Sequence, residues 1–340
     1  MHRKVVNALT VGRSVAKRMT MSLALATALS FALPSQATLS ADSADKPAWA
    51  YPITPPDFKL PPDDGKVHHV PDSSAAFTTT QLRDRFFAKD WHPDDHPPMP
   101  DIVAFGRKPD VLACGHCHRV DGSGGPENSS LAGLPAAYIA QQVADFRDGA
   151  RKSSVPQRIP VALMLSVSRA VTDAEVAQAA QYFSSLKLKK RIKVIETDTV
   201  PKTYVAWLIY AASKGEGREP IRGRIVEVPD DLDQFEAYDS RAEFTAYVPV
   251  GSVARGEALV TTGGAGKTVQ CGICHGHDLR GLGPIPGIAG RSPSYIARQL
   301  YDFKHGARAG PWSALMAGVI ANLDEEDRVS LAAYLASQVP

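Results

Sequence analysis

A chain of 340 residues with 44% hydrophobic and 22% charged residues has the make-up of a folded protein of roughly two domains, not of a disordered or fibrous chain. Its 26 prolines and 26 glycines imply much irregular backbone. A net charge of +2 supplies no basic excess for nucleic-acid binding.

In chain order, residues 1–37 read as a secretory signal. His2, Arg3, Lys4, Arg13, Lys17 and Arg18 precede an apolar run at 21–33, followed by Pro34-Ser-Gln-Ala37. That run of 13 residues is shorter than the roughly 20 needed to span a bilayer. Removing 1–37 takes away five basic and no acidic residues, so the mature chain carries −3 and is expected in the periplasm. Residues 38–76, rich in Pro, Asp and Ser, read as an extended leader. Residues 80–91 are expected to be helical, stopping at Pro93. His92 and His96 have metal-pair spacing, but Pro93, Pro97 and Pro98 forbid the helix that would align them.

The four cysteines all fall in Cys114-Gly-His-Cys117-His118 and Cys271-Gly-Ile-Cys274-His275. The pattern C-x-x-C-H is the attachment signal of a c-type haem: two thiols add to the porphyrin vinyls and the adjacent His ligates iron. A zinc site built from the four thiolates gives no reason for a His after each pair. A thioredoxin-like pair would need a βαβ setting. Two disulfides remain the plain alternative in an exported chain. The expectation is two covalent haems c.

Residues 114–151 align with 271–308 at an offset of 157, without a gap and with 17 of 38 positions identical. After Arg151 the first copy carries five extra residues, and the offset becomes 152. Of ten histidines only His118 and His275 recur within the repeat, whereas Met164 and Met316 recur 46 and 41 residues downstream of them. Those two methionines are the expected distal iron ligands; His/Met ligation raises the reduction potential and closes both axial positions.

Residues 138–147 place Ile139, Val143 and Phe146 on one helical face. Thr172-Asp-Ala-Glu175 is a capping box, and Asp324-Glu-Glu-Asp327 opens its counterpart. Tyr182 and Tyr334 recur and are expected near the haems or in the core. Arg151 and Arg308 recur; solvated arginines are the default, and haem propionates the alternative. Residues 187–193 hold five basic residues in seven, read as a solvated helix end or a dock for an acidic redox partner. Segments 193–197, 204–210, 224–228 and 244–250 are strand-like.

From each His onward the chain resembles the dihaem cytochromes of the c4 type. The resemblance rests on C-x-x-C-H, Leu131-Ala-Gly133 or Ile288-Ala-Gly290, Tyr-Ile, Gln-x-x-Asp-Phe, the ligand Met, and a closing Ala180-Gln-Tyr182 or Ala333-Tyr334 helix. It spans roughly 100–188 and 252–339. It implies a mainly α fold of two tandem class I cytochrome c domains, at 77–190 and 251–340, joined by a partly strand-like connector at 191–250. One haem would take Cys114, Cys117, His118 and Met164; the other would take Cys271, Cys274, His275 and Met316. Two departures stand out. Where the family has a Pro whose carbonyl orients the proximal imidazole, the second copy has Pro286 but the first has Ser129. The connector is also longer than the family's linker.

The implied role is a periplasmic relay of single electrons to and from redox partners, either free in the respiratory chain or within a dehydrogenase complex at the membrane. A dihaem enzyme is the rival reading. A peroxidase would need an open axial position, and a thiosulfate-oxidising type would need a fifth cysteine.

Overall fold

The computed structural model describes residues 46–340, so the expected signal at 1–37 lies outside the described residues. The leader does not hang free. After a 3-10 turn at Ala48–Ala50, the Trp49 indole donates to Glu325 at 3.1 Å, and Tyr51 packs edge-on against Tyr301 and donates to Asp302 at 3.2 Å. The chain then pairs β1 (Val67–His68) with β2 (Phe77–Thr78), antiparallel.

The helix expected over 80–91 is only α1 (Thr79–Arg83), opened by a Thr78–Gln81 capping box. Its early end has a local cause. The Asp84 carboxylate accepts from the Phe86 amide at 2.8 Å, and its carbonyl accepts from the Lys89 ammonium at 2.7 Å. These bonds replace the helical ladder. The His92–His96 stretch is a 3-10 turn in which each imidazole has its own carboxylate, His92 on Asp239 at 3.1 Å and His96 on Asp90 at 3.2 Å.

The first helical cluster comprises α2 (Asp101–Ala104), α3 (Cys114–His118), α4 (Ala136–Arg147), α5 (Ile159–Ala170) and α6 (Asp173–Ser185). The expected face of α4 turns Ile139 inward, onto a core with Val103, Leu134, Ala180 and Phe183, with Val143 packed against it; Phe146 is buried as well. Thr172 and Glu175 cap α6 reciprocally, as the sequence predicts. Tyr182 is a core residue whose hydroxyl donates to the Val120 carbonyl at 2.7 Å, bracing the turn after His118.

Between the clusters lie β3 (Ile192–Glu196), β4 (Thr199–Pro201), β5 (Thr203–Ala206), β6 (Ile209–Ala212), β7 (Arg218–Pro220), β8 (Val226–Pro229), α7 (Leu232–Glu236) and β9 (Phe244–Val248). The order β3-β9-β8 makes a three-stranded sheet, with β3 parallel to β9 in the register Ile192 to Phe244. Residues 204–210 are not one strand but the β5–β6 hairpin, turning at Trp207 with φ +53°.

The second cluster holds α8 (Ser252–Thr262), α9 (Gly272–His275), β10 (Gly281–Leu282), β11 (Ile285–Pro286), α10 (Pro293–Lys304), α11 (Ser313–Ile320) and α12 (Glu325–Ser337). Helices α8 and α12 cross so closely that a Cβ at Gly256 would lie 2.1 Å from the Ser330 carbonyl oxygen. Asp324 and Asp327 form the capping box of α12. The helix preceding the first motif, α2, has only four residues. Leader and connector segments lie around that motif instead.

Candidate haem centres

The two histidines expected as proximal ligands are set up alike. The His118 Nδ1–H donates to the Ser129 carbonyl at 2.8 Å, and the His275 Nδ1–H donates to the Pro286 carbonyl at 2.8 Å. Each bond fixes a tautomer that leaves the Nε2 lone pair free for a metal. Burial lowers both imidazole pKa values, and the carbonyl bond opposes it only in part, so the neutral form is favoured. The departure at Ser129 therefore does not cost the first copy this carbonyl. What the bond needs is a carbonyl in place, not a proline ring. Arg291 of the second cluster helps place it: its guanidinium donates to the Ser130 carbonyl at 2.9 Å and to the Ser130 hydroxyl at 2.7 Å.

The first motif opens on a cavity of about 920 Å3 whose walls include Cys114, Cys117, His118 and Met164. That lies within the range of about 300–1,000 Å3 common for cofactor sites. Burial pushes the Cys114 thiol up to about 12 and the Cys117 thiol up to about 11. Two soft thiols, a neutral imidazole and a thioether in one cavity fit a covalent c-type haem. In the second cluster, Cys271 and Met316 pack on the same core, which includes Leu259, Ile320 and Leu331. Cys274 is exposed there, and His275 is buried.

His116 carries no sign of metal ligation in the sequence, yet it locks the first motif. Its Nδ1 accepts from the buried Lys89 at 2.7 Å, and its ring lies 4.5 Å from that of Tyr238. Burial first, then the charge of Lys89, lowers its pKa to about 2, so it stays a neutral acceptor. Arg119 sits over Phe235 and Tyr238, at 4.8 Å from each ring. The connector is thus clamped against the first motif. No local pattern announces these contacts; the alternation of His116 with Ile273 in the repeat was the available signal.

The default of solvated arginines is also corrected. Arg151 and Arg308 are buried and paired in an antiparallel bridge. Arg151 donates to Gln142 at 2.8 Å within its own copy, and to Tyr295 at 2.9 Å and Gln299 at 3.0 Å in the other. Arg308 mirrors this with Gln299 at 3.1 Å, Tyr138 at 3.3 Å and Gln142 at 2.7 Å. The six bonds fall on four partners, Tyr138, Gln142, Tyr295 and Gln299, all of them repeat positions. In the basic run, Lys189 pairs with Asp95 at 3.2 Å and Lys190 donates to the Ser337 carbonyl at 3.3 Å.

Residues 110–187 match the model of the cytochrome c family. Cytochrome c-554(548) of Halomonas halodenitrificans is 38% identical over 76 residues, 22% of this chain and 92% of that protein. The chain belongs to the cytochrome c family. This cytochrome is also 38% identical over 76 residues to cytochrome c4 of Pseudomonas aeruginosa, where the match spans 36% of the relative. A longer match, 26% identical over 233 residues, covers 68% of this chain and 80% of a thiosulfate dehydrogenase electron acceptor of Thiomonas intermedia. The fold of this cytochrome is that expected of class I domains, helical clusters around a C-x-x-C-H turn, with the added connector sheet.

Proposed function

We propose that this protein is an exported, periplasmic electron carrier with two covalent haems c, organised as units at 77–190 and 251–340. Cys114 and Cys117 attach one haem and His118 and Met164 ligate its iron; Cys271, Cys274, His275 and Met316 serve the other. Each haem supplies a one-electron couple. The chain's own residues do the rest. The Ser129 and Pro286 carbonyls hold the imidazoles in one tautomer and orientation. The methionines close the distal positions, which disfavours the peroxidase reading. The crossed Arg151–Arg308 seam fixes one centre against the other.

The observation that carries this reading is the gathering of Cys114, Cys117, His118 and Met164 in one cavity, with matching imidazole bonds in both copies. The long match to a thiosulfate dehydrogenase electron acceptor supports a partner of the same kind, a periplasmic dehydrogenase that hands electrons to this chain. The test is a pyridine haemochrome assay, expected to give two haems c per chain. It is paired with the red charge-transfer band of Met–iron bonding in the ferric protein. That band is expected to weaken in Met164→Ala and in Met316→Ala and to vanish in the double variant. One haem per chain, or a band that survives the double substitution, overturns the assignment.

A further inference from the structure

The first copy carries a buried cation that the second does not. At the spacing that pairs Met164 with Met316, Gly310 stands where the first copy has Arg158. The five extra residues after Arg151 lead into Arg158, which precedes α5 directly and lies six residues before Met164. The side chain is 3% exposed and lines the same cavity as Cys114, Cys117, His118 and Met164. Its Nε and Nη2 are buried without a hydrogen-bond partner.

A guanidinium held in this way is costly. Each buried charged donor without an acceptor forfeits its hydration with nothing in exchange, so such a group persists where an anion completes it. Neither neighbouring carboxylate reaches the Nε or Nη2 of Arg158. Asp302 accepts from Tyr51 at 3.2 Å and from the Ser154 amide at 2.9 Å, and Glu127, whose Oε2 is likewise buried without a hydrogen-bond partner, stands 3.9 Å from Arg119. Arg298, the like charge that bears most on Arg158, spends its donors on the Ala50 and Pro126 carbonyls. What remains is a fork of donors on the wall of the cavity, of the shape that takes a carboxylate.

We propose that Arg158 binds a propionate carboxylate of the first haem and is a positioning residue for that haem alone. The proposal rests on the two-haem reading above. The second copy lacks the device at that position, where Gly310 offers no side chain and a Cβ would come 2.3 Å from the Asp145 carboxylate. A fixed positive charge beside the first haem favours the ferrous state there. The chain thereby sets its two nearly repeated centres at different potentials.

The test uses the full-length holoprotein with Arg158→Gln and Arg158→Lys. Haem count, the Met–iron band, the resonance Raman propionate bending mode and a potentiometric titration resolved into two one-electron steps are read together. In Arg158→Gln, with two haems retained, one midpoint is expected to move negative while the other stays. The propionate mode shifts with it, and Arg158→Lys restores most of the midpoint. Should the Gln variant lose its first haem, the Lys variant carries the test through the shift of the propionate mode. Two unmoved midpoints with an unshifted mode overturn the proposal, as do equal shifts of both. A wild-type midpoint that follows added sulfate, with the propionate mode indifferent to Arg158, means that a free oxyanion sits there, and also overturns it. A wild-type count below two haems per chain fails the underlying reading instead, and the haemochrome assay distinguishes that case.

Discussion

The two C-x-x-C-H motifs differ in one residue, His116 against Ile273, and in almost everything around them. The first is enclosed. His116 is 5% exposed, bonded to Lys89 and packed at a tilt against the Tyr238 ring, and its cavity is also lined by leader residues such as Leu60 and connector residues such as Trp207. The second is open. Ile273 is 63% exposed, and Leu282, Trp312 and Leu315 on neighbouring elements are exposed with it. Near-identical attachment chemistry has thus been placed in one covered and one open setting. The covering comes from segments outside the repeat. Attachment is local to each motif, whereas solvent access is decided by distant chain.

The comparison breaks most visibly at the cysteines. Replacing Cys114 and Cys117 together by Ser is expected to halve the haem count of the chain, and replacing Cys271 and Cys274 to do the same independently. A haemochrome assay reads both. If either pair removes both haems, the centres are not separate.

A reciprocal swap at the third motif position probes the enclosure. His116→Ile strips Lys89 of one of its two acceptors in a buried site, leaving the Asp84 carbonyl, and is expected to cost about 1–3 kcal/mol. Ile273→His places a polar ring in solvent and should stay within about 0.5 kcal/mol. Chemical denaturation of the two variants measures the contrast, and equal effects would undo it.

The shared glycine separates the motifs more finely, with a change of sign. A Cβ at Gly115 would come 2.9 Å from the Ala88 Cβ and 3.0 Å from the Val103 carbonyl oxygen, so Gly115→Ala is expected to destabilise by about 1–3 kcal/mol. A Cβ at Gly272 meets only the His277 Cα at 3.7 Å, so Gly272→Ala is expected to be neutral or to stabilise its helix by up to about 1 kcal/mol. Thermal melts of the holoprotein distinguish the two.

The smallest effect is an acid one. The Arg107 bond, then the Thr172 amide, holds Glu175 down at about 2 against an ordinary 4.5. A depressed carboxylate stabilises fully above its unfolded pKa and loses that contribution as pH falls from about 4.5 through about 2. Thr172→Ala is expected to cost about 1 kcal/mol at neutral pH. Glu175→Gln is expected to flatten the stability profile within that acid window, and an unchanged slope there would count against the assignment.

Much of this was legible in the sequence where the cause is local. The capping boxes at Thr172 and Asp324 and the α4 face at Ile139 and Phe146 follow from neighbouring residues, and they form as read. The helix expected over 80–91 fails for an equally local reason, but one hidden in backbone geometry: the Asp84 side chain captures an amide that helix propensity assigns to the ladder. The departure at Ser129 does not cost the bond, because the useful atom is a carbonyl that every residue possesses, and Arg291, some 160 positions away in sequence, holds the adjacent Ser130. The recurrence of Tyr138, Gln142 and Arg151 marked them as a set. That each arginine also bonds the other copy's set depends on packing that no single repeat encodes.

That crossing gives the seam the logic of a symmetric homodimer made from one chain. The Lys152 amide donates to the Ala307 carbonyl and the Ala309 amide to the Ala150 carbonyl, each at 2.7 Å, so the same patch answers itself across the interface. The connector then acts as a tether, setting an effective concentration for a pairing whose contacts lie elsewhere. A chain cut within the connector is expected to stay assembled. Either half expressed alone carries both sides of the Arg, Gln and Tyr set, so its natural error is to find a second copy of itself.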